Sequence, residues 1–300
     1  MKNYMYAFVI LHYGEARMTI DCVNNLIEMI YDEQSAIVIV DNNSPNNTGK
    51  QIETEFKNKN GIFFISNKEN LGFAKGNNVG YKFAKDVLKS KYICVMNNDV
   101  FILQEDFWSI VKKVDTDNLA VVGPHICLKD GKENAMYYKM NTVEELIKER
   151  NNYIKQLRRI KSSLWRFWDV WEDFKFVIRK LLGELGVMDK IVLHEDICDG
   201  CLDRHYNIIL HGCCIIFMPS YITKFDEGFV SETFMFREEE LLYLKCRDNG
   251  LDLLYEPELK VKHLEDVSTD YIYKTNRKKQ IFNYKNQIDS LEILIRKCQK

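Results

Sequence analysis

Apolar residues arrive in two rhythms along this chain. Residues 6–12 (YAFVILH), 36–40 (AIVIV), 62–66 and 92–96 are short runs rich in Val, Ile and aromatic residues, without polar alternation. That is the pattern of strands buried on both faces of a parallel sheet. Between them, residues 17–30 set Ile20, Val23, Leu26, Ile27 and Ile30 at helical spacing, and residues 49–56 and 76–87 also read as helices. Strand and helix in alternation predict βαβ units with right-handed crossovers. Three of the four strands run into polar clusters, DNNSPNN and NND among them, at the carboxyl edge where open α/β sheets bind ligands.

The pattern changes over residues 131–207, which read as long, helical and charge-dense. Residues 148–180 hold ten basic against four acidic side chains and three of the four tryptophans, Trp165, Trp168 and Trp171. Leu164, Phe167, Trp168, Trp171, Phe174 and Ile178 fall on one helical stripe. That stripe suits either the core of a helical subdomain or a basic, aromatic surface resting on an anionic membrane leaflet. Strand-like text returns at residue 208 (IILHGCCIIFM), followed by a helix over 238–249, a strand over 260–263 and a terminal helix from about 271. The chain thus divides into 1–130, an insertion over 131–207, a returning half over 208–270 and a closing helix over 271–300.

Composition narrows the class. With 300 residues, 46% apolar, only 4 prolines and 14 glycines, the chain can bury a large core and is neither disordered nor collagen-like. A net charge of -2 builds in no global attraction to nucleic acid. The N-terminal apolar run reads as a first strand rather than a signal peptide, and no stretch reaches the roughly 18 uncharged residues of a spanning helix. Nine cysteines, several inside apolar runs (Cys94, Cys213, Cys214), predict reduced thiols in a cytoplasmic compartment. Cys198 and Cys201 form a CxxC with His205, His211 and Cys213 nearby, a zinc-like set whose spacing matches no common module.

Several clusters carry possible chemistry. Asp41-Asn42-Asn43-Ser44 follows a buried strand and is composed either as a plain turn or as a ligand-facing one. Asn70 to Asn78 (NLGFAKGNN) opens a helix with two glycines and Lys75, able to present amides and an ammonium to phosphate, and is neither a Walker loop nor GxGxxG. Asp99 ends the fourth strand with a hard oxygen ligand. Glu238, Glu239 and Glu240 follow an aromatic stretch, where they suit a helix N-terminus or, crowded among like charges, a general base with a raised pKa. His263 ends a late strand, as a metal ligand or a satisfied core imidazole.

In their order, strand-DNNS, NLGFAKGNN, strand-MNNDV, FDEGFV with FMFREEE, and KH resemble family 2 of the glycosyltransferases. Its members carry VDNxSxD, NxGFAxGxN, LNxD and FDExFF with YxED. The resemblance covers about 6–130 and 208–268 and is nearest the rhamnosyltransferase-like branch that builds bacterial surface polysaccharides. It implies the GT-A fold, a Rossmann-like, mostly parallel mixed sheet flanked by helices, here with a helical insertion. The implied activity is inverting transfer of a sugar from a nucleotide-diphosphate donor, UDP or dTDP, to a hydroxyl of a glycan or lipid-linked acceptor. Donor contacts are then expected from His12, Tyr13, Asp41, Asn43, Asn70, Gly72, Lys75 and Asn98. A divalent cation, Mg2+ or Mn2+, is expected on Asp99 and His263. Glu239 stands where the family places its catalytic aspartate, with Glu238 one position earlier and Leu241 in place of the family's second aspartate, so either glutamate can be the base. The implied location is cytoplasmic, peripheral on the inner face of the plasma membrane. The rivals are a nucleotidyltransferase, which lacks its basic phosphate loop at Leu11 to Ala16, and a noncatalytic carbohydrate-binding subunit, against which the intact acidic residues speak.

Overall fold

The computed structural model describes residues 2–29, 32–128, 133–134, 139–162, 202–264 and 276–299. In chain order the elements are β1 (Tyr6–His12), α1 (Ala16–Met29), β2 (Ser35–Asp41), α2 (Thr48–Phe56), β3 (Ile62–Ser66), α3 (Gly72–Lys82), β4 (Tyr92–Asn97), β5 (Val100–Ile102), α4 (Phe107–Val114) and β6 (Leu119–Leu128). They continue with β7 (Glu133–Asn134), α5 (Val143–Lys161), β8 (His205–Tyr206), β9 (Cys214–Phe217), α6 (Pro219–Lys224), α7 (Glu238–Arg247), β10 (Asp252–His263) and α8 (Asn276–Cys298).

One mixed sheet runs β3-β2-β1-β4-β9-β6-β10-β5. The pairs β3-β2, β2-β1 and β1-β4 are parallel, as the βαβ rhythm predicts, and β9 lies antiparallel between β4 and β6. The apolar runs of β1, β2 and β4 are buried on both faces, whereas β3, read from the sequence as equally buried, is the edge strand and only half-buried. Phe8, Ile10, Ile37, Ile39, Cys94 and Met96 pack under α1, α2 and α4, while Ala7, Val9, Val38, Val40, Ile93 and Val95 pack under α3, α6 and α7. In the parallel ladder, His12 stands beside Asp41 and Leu11 beside Asn97. The ends of β1, β2 and β4 therefore form one carboxyl edge, and strand order reverses between β1 and β4, where such sheets open a crevice.

The structure amends several sequence readings. The helix expected from residue 76 begins at Gly72 and ends in a π turn over Phe83–Val87. Its start is displaced because the Asn70 Oδ1 accepts the Gly72 amide at 2.9 Å, an Asx turn that brings the chain into the helix with Gly72 at φ +79°. The late strand extends back to Asp252 through a bulge between Glu256 and Lys260, and the mixed polarity of DLLYEPELK conceals it. The segment 131–207, expected to be helical, also supplies β7 and β8, paired with β6 and β10. Its helix α5 opens with a capping box in which Thr142 and Glu145 bond each other's backbone amides. Residues 163–201 lie outside the described residues, and with them Trp165, Trp168, Trp171, the rest of the aromatic stripe, Cys198 and Cys201. Helix α5 packs on α8, and Leu146, Leu291, Leu294 and Ile295 enclose Leu241 and Leu244 of α7.

Candidate active site

A cavity of about 450 Å³ opens at the switch point between β1 and β4, a volume ordinary for a small-molecule site. Leu11 and Tyr13 from the end of β1, Asn97 and Asn98 from the end of β4, and His211, Gly212 and Cys213 ahead of β9 form one side. The loop Met235 to Arg237, the first turn of α7 and Gln287 of α8 form the other.

Three glutamates open α7 and have three different environments. Glu238 is buried and accepts from the Thr233 hydroxyl at 3.1 Å; burial, with Glu239 beside it, pushes its carboxyl up to about 8. Glu239 is half-buried in the cavity wall and its Oε1 accepts the Gly212 amide at 3.1 Å. Burial and the neighbouring Glu240 push it up to about 7, where a carboxylate is basic enough to take a proton yet ionised near neutral pH. Glu240 turns away to Arg237, whose Nη1 lies 2.8 Å from it.

Arg237 also pairs with Glu149 of α5 and donates to Gln287 of α8 at 3.2 Å. Burial opposes its charge, but Glu240 and Glu149 outweigh burial and hold the guanidinium above its ordinary range. One side chain thus ties the first turn of α7 to both outer helices. Phe236 and Arg237 both sit at positive φ, 73° and 69°, strain of the kind kept where a turn must be held. Arg237→Ala strands a buried carboxylate and is expected to cost about 3 kcal/mol of stability, read as a lower urea midpoint at unchanged slope.

Gly212 fits because it has no side chain. A Cβ there would stand 2.4 Å from Glu239 Oε1. Gly212→Ala, at a backbone conformation alanine accepts, therefore displaces the carboxylate rather than the fold. The expected result is a kcat loss of about 10² or more with KM for donor little changed and a thermal midpoint close to wild type.

Next to the Asn97–Asn98 wall of the cavity, Asp99 and His263 meet at the junction of β4, β5 and β10. The Asp99 Oδ1 lies 3.3 Å from His263 Nε2, and both residues are buried. Asp99 Oδ1 is ion-paired with His263 Nε2 outside hydrogen-bond geometry, and His263 Nδ1 has no hydrogen-bond partner. A buried carboxylate beside an unpartnered imidazole nitrogen is costly for the protein alone and fits a bound cation. His211 and Cys213 stand beside them. The His211 and His263 rings are 5.8 Å apart, and burial, with His263's like charge, pulls His211 down to about 4. This face also joins the sheet, since the Asn97 amide donates to the Cys213 carbonyl at 2.8 Å.

The remaining sequence candidates lie at the same edge in other roles. Tyr13 and Asn98 line the cavity, and Asn98 donates to Thr19 at 2.9 Å. His12, expected to touch the donor, is wholly buried, with its ring nitrogens 2.8 Å and 3.2 Å from the Thr19 and Thr48 hydroxyls. Burial pulls it down to about 4 against the opposing charge of Asp41, so it joins β1 to α1 and α2 as a neutral ring. Asp41 accepts the Ser44 amide at 2.9 Å, which is the turn role, while Asn43 and Lys75 are exposed and outside the cavity wall.

Asn42 is the neighbour that sequence reasoning passed over. Its amide group bonds Asn70 Oδ1 at 2.9 Å, Gly72 O at 3.0 Å, Asn67 Nδ2 at 3.1 Å and Leu71 N at 3.0 Å. It locks the two edge loops together. Asn70 and Gly72 serve the same junction, and a Cβ on Gly72 would meet the Phe234 carbonyl at 2.2 Å. Arg237 and Gly212 carried no sequence signal, because their partners are distant in the chain.

Residues 7–186 match the sequence family described as Glycosyl transferase family 2. Over 103 residues the chain is 33% identical to an uncharacterized protein of Methanocaldococcus jannaschii, covering 33% of this chain and 44% of that one. Over 108 residues it is 26% identical to a low-salt glycan biosynthesis hexosyltransferase of Haloferax volcanii, covering 35% of this chain and 34% of that one. The matched stretches thus span less than half of these relatives. Among solved structures, GalNAc-T7 with UDP, GalNAc and Mn2+ superposes with a TM-score of 0.55 at 12% identity, over 87% of this chain and 44% of that one. A mannosyltransferase of Pyrobaculum calidifontis with GDP-Man and Mn2+ superposes at 0.52 and 11%, over 98% and 74%. TarS of S. aureus with UDP-GlcNAc superposes at 0.52 and 12%, over 96% and 72%. The fold is GT-A.

Proposed function

Because the chain belongs to Glycosyl transferase family 2, we propose that it moves a sugar from a nucleotide-diphosphate donor to an acceptor hydroxyl in the cavity between β4 and α7. The observation that carries this reading is Glu239, raised to about 7, in the wall of a cavity whose lining residue Asn98 adjoins the buried Asp99–His263 pair. One group suits a proton and the other a cation.

In the proposed reaction the acceptor oxygen bonds to the anomeric carbon as its proton passes to Glu239. The bond from that carbon to the diphosphate breaks on the opposite side, its electron pair leaving with the phosphate, so configuration inverts. Glu238 is the alternative base. Asp99 and His263 would hold the divalent cation, Mg2+ or Mn2+, whose charge offsets that of the leaving diphosphate. The Mn2+ in two structural neighbours supports that assignment. Tyr13 and Asn98 line the donor's side, and the loops organised by Asn42, Asn70 and Gly72 frame it, with Asp41, Asn43 and Lys75 at the outer edge.

The finer reading is a hexosyltransferase, nearest the rhamnosyltransferase-like branch, acting on a glycan or lipid-linked acceptor in surface-polysaccharide synthesis. It rests on the motif resemblance and on the hexosyltransferase relative. A peripheral position on the cytoplasmic leaflet rests on the charge and aromatic content of residues 148–180. Among the described residues, no helix is long and apolar enough to cross a membrane. Calorimetric titration with UDP-, dTDP- and GDP-sugars in the presence of Mn2+ tests the donor side. One nucleotide is expected to bind with a clear preference, weakened in Asp99→Ala. Binding of none of them, or equal binding of free sugars, would overturn the assignment.

A further inference from the structure

Gln287 lies on α8, beyond the matched stretch 7–186 and beyond the motifs of the resemblance, yet it lines the cavity together with the loop Met235 to Arg237. Its amide has a single orientation. The Gln287 Oε1 accepts from Arg237 Nε at 3.2 Å, and a guanidinium offers donors only, so the oxygen must face it and Nε2 must point away. That Nε2 has no hydrogen-bond partner among the described residues, nor is it buried. Accepting from a cation also strengthens the amide as a donor. The helix that carries it is held in place: the Ser290 hydroxyl, one turn on, donates to the Met235 carbonyl at 2.8 Å, and Leu291, Leu294 and Ile295 pack with Leu241 and Leu244 of α7.

We infer that Gln287 binds the acceptor, donating from Nε2 to a ring hydroxyl of an uncharged hexose. The inference rests on the proposed function, which makes this cavity the place of transfer. Charge sets the substrate class. Three glutamates open α7 on the cavity wall, and the guanidinium nitrogens of Arg237 are all taken, by Gln287, Glu240 and Glu149. His211, the other basic side chain of the wall, is pulled down to about 4 and is neutral at neutral pH. The donor's diphosphate has the cation proposed on Asp99 and His263, whereas a uronate or phosphate on the acceptor would meet carboxylates with no free counter-charge. An uncharged sugar meets no such penalty. Shape agrees with charge. Phe73, Met235 and Phe236 give the wall an apolar part suited to the C–H face of a sugar ring, and the ring's rim of hydroxyls needs an oriented polar group of the kind Gln287 supplies.

The test is saturation-transfer NMR on the full chain, without donor sugar, titrating methyl hexopyranosides, their monodeoxy derivatives and methyl glucuronide. The wild-type chain is compared with Gln287→Met, which is close in length and shape and lacks the amide. The expected result is saturable binding of at least one neutral hexoside and much weaker binding of the glucuronide. Removing one particular hydroxyl from that hexoside should weaken binding to the wild-type chain roughly 3–10-fold and leave binding to Gln287→Met unchanged, while the other hydroxyls count equally in both chains. Such coupling at one ring position separates a contact from a structural effect, since release of Arg237 by the substitution would weaken every derivative alike. Far-UV circular dichroism checks the fold, and Gln287→Ala, a strong helix former in α8, supplies the same comparison should the methionine variant not fold. No hexoside bound by the wild-type chain, glucuronide bound as tightly as the neutral sugars, or the same deoxy profile in both chains would overturn the inference. The titration reads no turnover. Its failure leaves the proposed transfer standing, and a chain that binds hexosides through Gln287 without transferring sugar would overturn the proposed function alone.

Discussion

Glu239→Gln is expected to lower kcat by about 10²–10⁴ while leaving donor affinity near that of the wild-type chain, because the amide keeps the side chain's shape and loses only its basicity. The pH profile carries the same information. A base must be ionised to act, and burial together with Glu240 pushes Glu239 up to about 7. Activity should therefore rise with pH through about 7, and that acid limb should vanish in Glu239→Gln. Stability runs the other way. A carboxyl raised from 4.5 to about 7 binds its proton more tightly in the folded chain than in the unfolded one, so the stability it contributes is present at low pH and lost as pH rises through about 7. Glu239→Gln should flatten that decline. If Glu238→Gln is the crippled variant instead, Glu238 is the base and Glu239 positions it from the Gly212 amide.

Asp99→Ala is expected to abolish transfer in a folded protein, and chelation of divalent cations should do the same to the wild-type chain. The reason is electrostatic: in the proposed reaction the buried Asp99 carboxylate would hold the cation that offsets the diphosphate charge. Removing it also leaves His263 without the carboxylate 3.3 Å away. Activity that survives both treatments would transfer the leaving-group role to amides or to Lys75.

The fold was legible where local pattern and tertiary burial agree. The four parallel strands announce themselves because the sheet's faces are covered, fully over β1, β2 and β4 and partly over the edge strand β3, so their runs are almost wholly apolar. Strand β10 was legible only over 260–263; its earlier part is concealed by Glu256, Pro257 and Glu258 and by the bulge between Glu256 and Lys260. The site was legible in its acids: Asp99, Glu238 and Glu239 stand out at strand or helix ends. It was misleading at His12, whose position at a strand end suits a ligand contact, whereas Thr19 and Thr48 occupy its ring. What composition and spacing do not encode is long-range pairing. Gly212 meets Glu239, Arg237 meets Glu149 and His263 meets Asp99 only because β9, α5 and β10 converge on one edge. Of the zinc-like set seen around residue 205, His211 and Cys213 lie together in space with His263, far along the chain, while Cys198 and Cys201 lie outside the described residues.

The central claim is that this cavity cleaves a nucleotide-sugar bond with Asp99 and Glu239 as its working carboxylates. The most direct test is release of free nucleoside diphosphate from a panel of UDP-, dTDP- and GDP-sugars, comparing the wild-type chain with Asp99→Ala and Glu239→Gln. The account predicts release from one preferred donor, dependent on divalent cation, greatly reduced in both variants and without pyrophosphate. Release unchanged in both folded variants, or pyrophosphate as the product, would contradict it.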